Sequence, residues 1–191
     1  MRFRSFIFDM GGVVCDNAAV VPHMANYLEI SEENFYRIAG KENLCLLYAG
    51  LISVEAFWSR FSKAFGREVT EDLWERFFQP QLNREVVELI MELKTSARVV
   101  VGTNTIDSHY ALLEKDGYYS IFDAVYASNK MGVVKPDSEF YEHILQAEGW
   151  NPGGTVFIDD REPNVMAARD LGFKAILFEN ISNLNRELAR L

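Results

Sequence analysis

Cysteine is nearly absent from this chain: its 191 residues contain two, Cys15 and Cys45. Two thiols cannot staple a secreted scaffold, so a reducing compartment is the default. Basic runs are missing as well. The 19 Lys and Arg residues are outnumbered by 28 Asp and Glu, for a formal charge of −9, and they form no cluster of the kind that grips nucleic acid or an anionic membrane. An acidic chain must therefore bind an anionic ligand through local donors or a metal. No apolar stretch approaches the roughly 20 residues that cross a bilayer. The opening Met1-Arg2-Phe3-Arg4 carries the charge of a signal-peptide start, but Asp9 interrupts the apolar run and no small-residue cleavage site follows. Internal repeats and low-complexity tracts are also lacking. With 49% hydrophobic residues, the chain is expected to be a soluble, cytoplasmic protein with a sizeable core and no nucleic-acid or membrane partner.

Short apolar runs do occur, each ending in small or polar residues. Phe6-Ile7-Phe8 opens the chain, and Val99-Val100-Val101, Ala124-Val125-Tyr126, Val156-Phe157-Ile158 and Ala175-Ile176-Leu177-Phe178 follow. Their length and their β-branched and aromatic content predict strands buried on both faces. Helical spacing lies between them. Val86, Leu89, Ile90 and Leu93 recur at i, i+3, i+4 and i+7, Phe140, Tyr141, Ile144 and Leu145 repeat the pattern behind an N-cap at Asp137-Ser138, and Leu184, Leu188 and Leu191 mark a last helix. Such alternation predicts an α/β fold: a doubly wound, Rossmann-like parallel sheet with helices on both faces.

Residues 17–83 depart from the alternation and show no convincing strand. Ser53 caps a stripe of Val54, Phe57, Trp58, Phe61 and Phe65, and Thr70 followed by Glu71 and Asp72 reads as another helix start with acids in its first turn. The expected organisation is a core of residues 1–16 and 84–191 with an all-helical cap, residues 17–83, inserted after the first strand. The aromatic stripe reads as the cap's own packing.

Ligands of open parallel sheets bind at the carboxyl ends of the strands. Asp9 and Gly11 follow the first predicted strand, Thr103 and Asn104 the second, and Asp159 and Asp160 the fourth, while Lys135 stands just before a helix start. Carboxylate and carbonyl oxygens suit Mg²⁺, which is usually held by one or two carboxylates together with phosphate. A carboxylate can attack phosphorus and split a difficult displacement into two steps, with Lys and hydroxyl donors holding the developing charge. Taken singly, each residue is also at home in an ordinary turn or cap. Adjacent acids at the end of a buried strand are more telling, because they repel unless a cation or donor compensates.

The same segments resemble the motifs of the haloacid dehalogenase superfamily, hydrolases with a nucleophilic aspartate and a helical cap after the first strand. Phe6-Ile7-Phe8-Asp9-Met10-Gly11-Gly12-Val13 resembles the first motif, Val101-Gly102-Thr103-Asn104 the second, Gly132-Val133-Val134-Lys135-Pro136 the third, and Phe157-Ile158-Asp159-Asp160, with Asn164, Ala167, Ala168 and Gly172 downstream, the fourth. The motifs stand in the family's order from residue 6 to residue 172. The resemblance implies that Asp9 is the nucleophile, that Thr103, Asn104 and Lys135 hold the phosphoryl group, and that Mg²⁺ sits on Asp9, the Gly11 carbonyl, Asp160 and, directly or behind them, Asp159. The implied activity is a phosphatase for a small phosphorylated metabolite, with sugar phosphates favoured, working through an aspartyl-phosphate.

In one position the chain departs from that pattern. The family's phosphatases usually carry a second Asp two residues after the nucleophile, as acid and base for the leaving group, and here the position is Gly11. Asp16 is a candidate substitute and equally a cap or turn residue. A side chain at Gly11 would be strained if the loop there has positive φ. Two other functions fit the pattern: a metal-free 2-haloacid dehalogenase, against which the Asp159-Asp160 pair speaks, and a phosphoryl-binding or metabolite-binding protein that turns over weakly. The remaining candidates are bland. His23, His109 and His143 lack metal-ligand spacing, and Cys15 reads as a small buried apolar group.

Overall fold

The computed structural model describes residues 3–191, so Met1 and Arg2 of the opening segment lie outside the described residues. Its strands, in chain order, are β1 (Ser5–Phe8), β2 (Cys15–Asp16), β3 (Gln81–Leu82), β4 (Arg98–Thr103), β5 (Val125–Ala127), β6 (Thr155–Asp159) and β7 (Lys174–Leu177). Five of them build one parallel sheet in the order β5-β4-β1-β6-β7, as the apolar runs predicted. In register, Ile7 lies opposite Val100 on one side and Phe157 on the other. Side chains alternate across a strand. Phe6, Phe8, Val99, Val101, Val156 and Ile158 therefore enter one apolar layer, and Ile7, Val100 and Phe157 enter the other. Both layers are covered by helices, which is why these strands are uniformly hydrophobic. On the first face lie α6 (Arg84–Leu93) and α11 (Ile181–Ala189), which bury Val86, Ile90, Leu93, Leu184 and Leu188. The second is covered by α9 (Ser138–Glu148) and α10 (Glu162–Asp170), through Phe140, Tyr141, Ile144 and Ala168.

Between β2 and β3 the chain forms α1 (Val21–Tyr27), α2 (Glu32–Ala39), α3 (Lys41–Tyr48), α4 (Val54–Phe65) and α5 (Leu73–Phe77). Ser53 caps α4 by accepting from the Ala56 N–H, and Phe57, Trp58 and Phe61 are buried on one face of that helix. The start of α5 falls two residues beyond the expected one: the carboxylate of Asp72 is itself the cap, accepting from the Trp74 N–H. At α9 the expected N-cap residue, Asp137, occupies the capping position without a side-chain cap bond. The sequence shows no convincing strand in residues 17–83, yet β3 pairs antiparallel with β2, Cys15 opposite Leu82 and Asp16 opposite Gln81. Two residues are too few to leave a periodic trace.

Trp74 is wholly buried, with the rings of Phe35, Tyr48, Phe57 and Trp58 around it at centroid distances of 5.5 to 6.2 Å. His109, on α7 (Asp107–Lys115), stacks on Phe78 at 3.7 Å, and its Nε2 lies 3.0 Å from the Trp74 carbonyl. The apolar cluster therefore runs without a break from these helices into the sheet layer of Phe6 and Val101. No helix among the described residues is long and apolar enough to cross a membrane.

Candidate active site

The carboxyl ends of β1, β4 and β6 meet at one edge of the sheet, next to a cavity of about 950 Å³ roofed by α1, α2 and α3. Asp9 leaves β1 there, with its N–H donating to the Ile158 carbonyl at 2.8 Å. The loop beyond it is a tight backbone knot. The Gly12 N–H donates to the Cys15 carbonyl at 2.8 Å, and the Cys15 N–H donates to the Met10 carbonyl at 2.8 Å. A bridge between Gly11 and Cys15 completes the knot. Gly12, not Gly11, holds the left-handed backbone, with φ of 79°, and a Cβ on it would collide with the Asp160 carboxylate. A Cβ on Gly11 would meet only Ala18, at 3.2 Å.

Lys135 arrives from a segment beginning after α8 (Ser128–Met131) and is buried to 4% exposure. Its ammonium lies 2.8 Å from Asp9 Oδ1 and 2.7 Å from Asp159 Oδ2, and it also donates to the Gly102 carbonyl at 2.9 Å. Three acceptors match the three donors of an ammonium group. Burial alone would lower the Lys135 pKa, but Asp9 and Asp159 hold it above the ordinary lysine value. Asn104 grips the same residue by its backbone: its Nδ2 donates to the Lys135 carbonyl at 2.9 Å and its Oδ1 accepts from the Lys135 N–H at 2.8 Å. The Asn104 amide is thus engaged in fixing Lys135. Thr103, the last residue of β4, is buried and lines the cavity.

The two adjacent acids divide. Asp159 is fully buried and both its oxygens are taken: Oδ1 accepts from the Arg161 N–H at 2.9 Å and from Asn164 Nδ2 at 2.9 Å, and Oδ2 accepts from Lys135 and from Asn164. Asp160 is open to the cavity. Ligand oxygens of Asp9, Asp159 and Asp160 all lie within 4.8 Å of one another. Three carboxylates against one ammonium leave the cluster short of positive charge. Burial pushes the Asp9 carboxyl up to about 7, with Lys135 opposing and Asp159 and Asp160 adding to the shift, and Asp160 is raised by burial and by Asp159. A divalent cation is the complement this donor set lacks, and hard oxygen ligands of this kind fit Mg²⁺.

The residues singled out from the sequence, Asp9, Gly11, Thr103, Asn104, Lys135, Asp159 and Asp160, therefore all border or support one cavity. Asn164 is named in the sequence only as a downstream member of the fourth motif, without a role; the structure places it in the first turn of α10, holding Asp159. The Gly102 carbonyl leaves no signal in sequence, because a main-chain acceptor has no residue signature. His23 and His143 pack against Phe77 and Tyr126, respectively. Cys15 is buried and its thiol is pushed up to about 12 by that burial, in line with a packing role.

The haloacid dehalogenase-like hydrolase family model matches residues 3–172, and the chain belongs to that family. Phosphatases are among its relatives. The chain is 27% identical over 175 residues to the sesquiterpene phosphatase astK of Aspergillus oryzae, spanning 89% of this chain and 87% of that protein. It is 24% identical over 199 residues to the D-ribitol-5-phosphate phosphatase of Bacteroides thetaiotaomicron, spanning 97% and 96%. A family enzyme from B. thetaiotaomicron, solved as a magnesium complex, superposes with a TM-score of 0.77 at 25% identity, covering 97% of this chain and 100% of that one. Its complex with magnesium and inorganic phosphate gives 0.76 at 24% identity, covering 95% and 98%.

Proposed function

We propose that this hydrolase is a Mg²⁺-dependent phosphatase of small phosphorylated metabolites, with a sugar phosphate as the favoured substrate. The observation that carries the reading is the buried Asp9–Lys135–Asp159 chain, with Asp160 beside it, at the floor of the cavity. The D-ribitol-5-phosphate phosphatase relative, aligned along nearly the whole chain, supports the choice of substrate class. Two free cysteines are in keeping with a reducing, cytoplasmic setting.

Asp9 is the nucleophile. Its carboxylate attacks phosphorus, the bond to the leaving oxygen breaks, and the phosphoryl group rests on Asp9 until water displaces it. Lys135 fixes the Asp9 carboxylate from one side and presents positive charge to the phosphoryl oxygens, while the Thr103 hydroxyl supplies a further donor. Asn104 and Asp159 act on Lys135, one through its backbone and one through its ammonium. Asp9, the Gly11 carbonyl and Asp160 would hold Mg²⁺, with Asp159 behind them, and the ion would supply charge neutralisation to the displacement. Residues 17–83 serve as the cap over a core of residues 1–16 and 84–191, keeping bulk water from the first step.

Phosphate release from a panel of phosphorylated metabolites tests this. Release is expected with Mg²⁺ and is lost on exhaustive chelation; release that survives chelation would remove the metal from the account. Asp9→Asn keeps the shape and removes the attacking charge, so turnover should fall by at least about 10³-fold, some 4 kcal/mol of barrier. A variant retaining more than about a hundredth of wild-type turnover is incompatible with covalent catalysis by Asp9.

A further inference from the structure

Expulsion of an alkoxide from phosphorus is slow unless the leaving oxygen gains a proton. Residue 11, where the family's phosphatases usually place that acid, has no side chain here. The cavity wall therefore has to supply it from elsewhere, and three of its titratable groups are unsuited. The Cys15 thiol is buried and pushed up to about 12, the Tyr48 phenol likewise. The His109 ring is held neutral, pushed down to about 4 by burial, and its Nε2 is spent on the Trp74 carbonyl. His23 lies against Phe77. Glu32 and Lys41 stand on α2 and α3, at the first turns of roof helices.

Asp16 differs from all of these in how it is held. It is exposed, it lines the cavity, and it directly follows the knot that succeeds the nucleophile. Cys15, its immediate neighbour, exchanges backbone hydrogen bonds with Met10 and Gly12 and bridges to Gly11. On its other side Asp16 is paired with Gln81 in the β2–β3 ribbon. Asp16 thus sits between the loop that carries the nucleophile and the strand that returns from the roof helices. The place of the missing side chain agrees. A Cβ on Gly11 would lie 3.2 Å from Ala18 Cβ, so a residue-11 side chain would start beside Ala18, two residues past Asp16 on the same cavity wall.

We infer that Asp16 is the general acid and base of this hydrolase, taking the part that a carboxyl at residue 11 would otherwise play. The inference rests on the phosphatase reading. In the first step Asp9 Oδ bonds to phosphorus as the bond to the ester oxygen breaks, and the Asp16 carboxyl passes its proton to that oxygen, so that a neutral alcohol leaves. In the second step the Asp16 carboxylate takes a proton from water as the water oxygen bonds to phosphorus. The bond between phosphorus and Asp9 breaks, inorganic phosphate departs, and Asp16 is again protonated.

A leaving-group series tests the assignment, with 4-nitrophenyl, phenyl, trifluoroethyl and ethyl phosphates on wild type, Asp16→Asn and the double variant Asp16→Asn/Gly11→Asp. In wild type the dependence of kcat/KM on leaving-group pKa should be shallow. In Asp16→Asn it should steepen, with ethyl phosphate losing about 10²-fold or more and 4-nitrophenyl phosphate less than about threefold, because nitrophenolate leaves without a proton. The same variant should give a burst of nitrophenolate followed by a slow steady state, since hydrolysis of the phosphorylated Asp9 has lost its base. The double variant should return toward the shallow slope. Equal slopes in wild type and Asp16→Asn, with no burst, overturn the inference while leaving the phosphatase standing. Uniform loss across the series in a variant that keeps the wild-type circular dichroism also overturns it. A wild type that turns over none of the four esters sinks the phosphatase reading, and the inference with it.

Discussion

Among the described residues, Lys135 is the only ammonium group in the acidic floor of the cavity, and its burial makes each of its partners expensive to remove. Asp159 contributes the shortest of its contacts, at 2.7 Å, and is itself anchored by Asn164 and the Arg161 N–H. An amide at residue 159 must turn its NH2 either toward the Lys135 ammonium or toward the Asn164 and Arg161 donors, so a buried donor faces a donor, at a cost of about 1–3 kcal/mol. Asp159→Asn should therefore lower the stability of the metal-free protein by about that amount, measured as a drop in the urea midpoint in the presence of chelator. An unchanged midpoint would mean that Asp9 and the Gly102 carbonyl suffice for Lys135. Sequence marks the pair Asp159-Asp160 as unusual, and the family resemblance assigns Asp160 to the metal while leaving Asp159 either on it or behind it. The division follows from the end of β6: Asp159 is its last residue and turns into the donors of α10 and Lys135, whereas Asp160 has left the sheet and faces the cavity. From its place after β4, Asn104 reads as a phosphate ligand. Its engagement with Lys135 depends on a chain segment 31 residues away, which no local pattern discloses.

At the level of elements, the knot after β1 depends on Gly12. Its φ of 79° disfavours any L side chain, and the Asp160 carboxylate occupies the space a Cβ would need. Gly12→Ala should cost at least about 1 kcal/mol in strain and displace Asp160, so that Mg²⁺ binding, read by isothermal titration, weakens along with stability. Unchanged affinity would show that Asp160 can shift without loss to the site. Where α7 meets α5, His109 supplies a pH dependence whose sign is fixed. Burial depresses its pKa from 6.5 to about 4, so the unfolded chain takes up a proton that the folded chain refuses in that interval. The stabilisation is fully present above about pH 6.5 and is lost as pH falls toward 4; between pH 7 and 5 it should diminish by about 2 kcal/mol. His109→Phe keeps an aromatic ring against Phe78 and should remove that part of the acid sensitivity, compared as urea midpoints at the two pH values. Both features are hard to read in advance. Gly11-Gly12 gives two candidates for a left-handed residue, and His109 has no distinguishing spacing; its environment comes from Phe78 and Trp74, more than 30 residues earlier.

For the molecule as a whole, the sheet is legible because its strands are buried on both faces and must be continuously apolar. Phe6-Ile7-Phe8, Val99-Val100-Val101 and Val156-Phe157-Ile158 could scarcely be anything else between helices of clear period. Their carboxyl ends then locate the site by topology alone. The two-residue pairing of β2 with β3 is not legible, nor is the roof's attachment, since both depend on contacts between distant segments. The helices between β2 and β3 read in sequence as a body with their own packing, and Trp74 does gather Phe35, Phe57 and Trp58 around it. Yet the same apolar cluster continues through Phe78 and Leu113 to the sheet.

That continuity bears on how the molecule comes apart. Two bodies that share one apolar cluster cannot melt separately without baring the surface they hold in common, so heating should give one calorimetric peak whose measured enthalpy equals the van't Hoff value. Two resolved peaks would show that the roof folds as an independent unit. By the same reasoning residues 17–83 expressed alone, stripped of the sheet layer beneath Trp74 and Phe78, should fail to reach a cooperative folded state, whereas the full chain holds both parts in register as a single thermodynamic body.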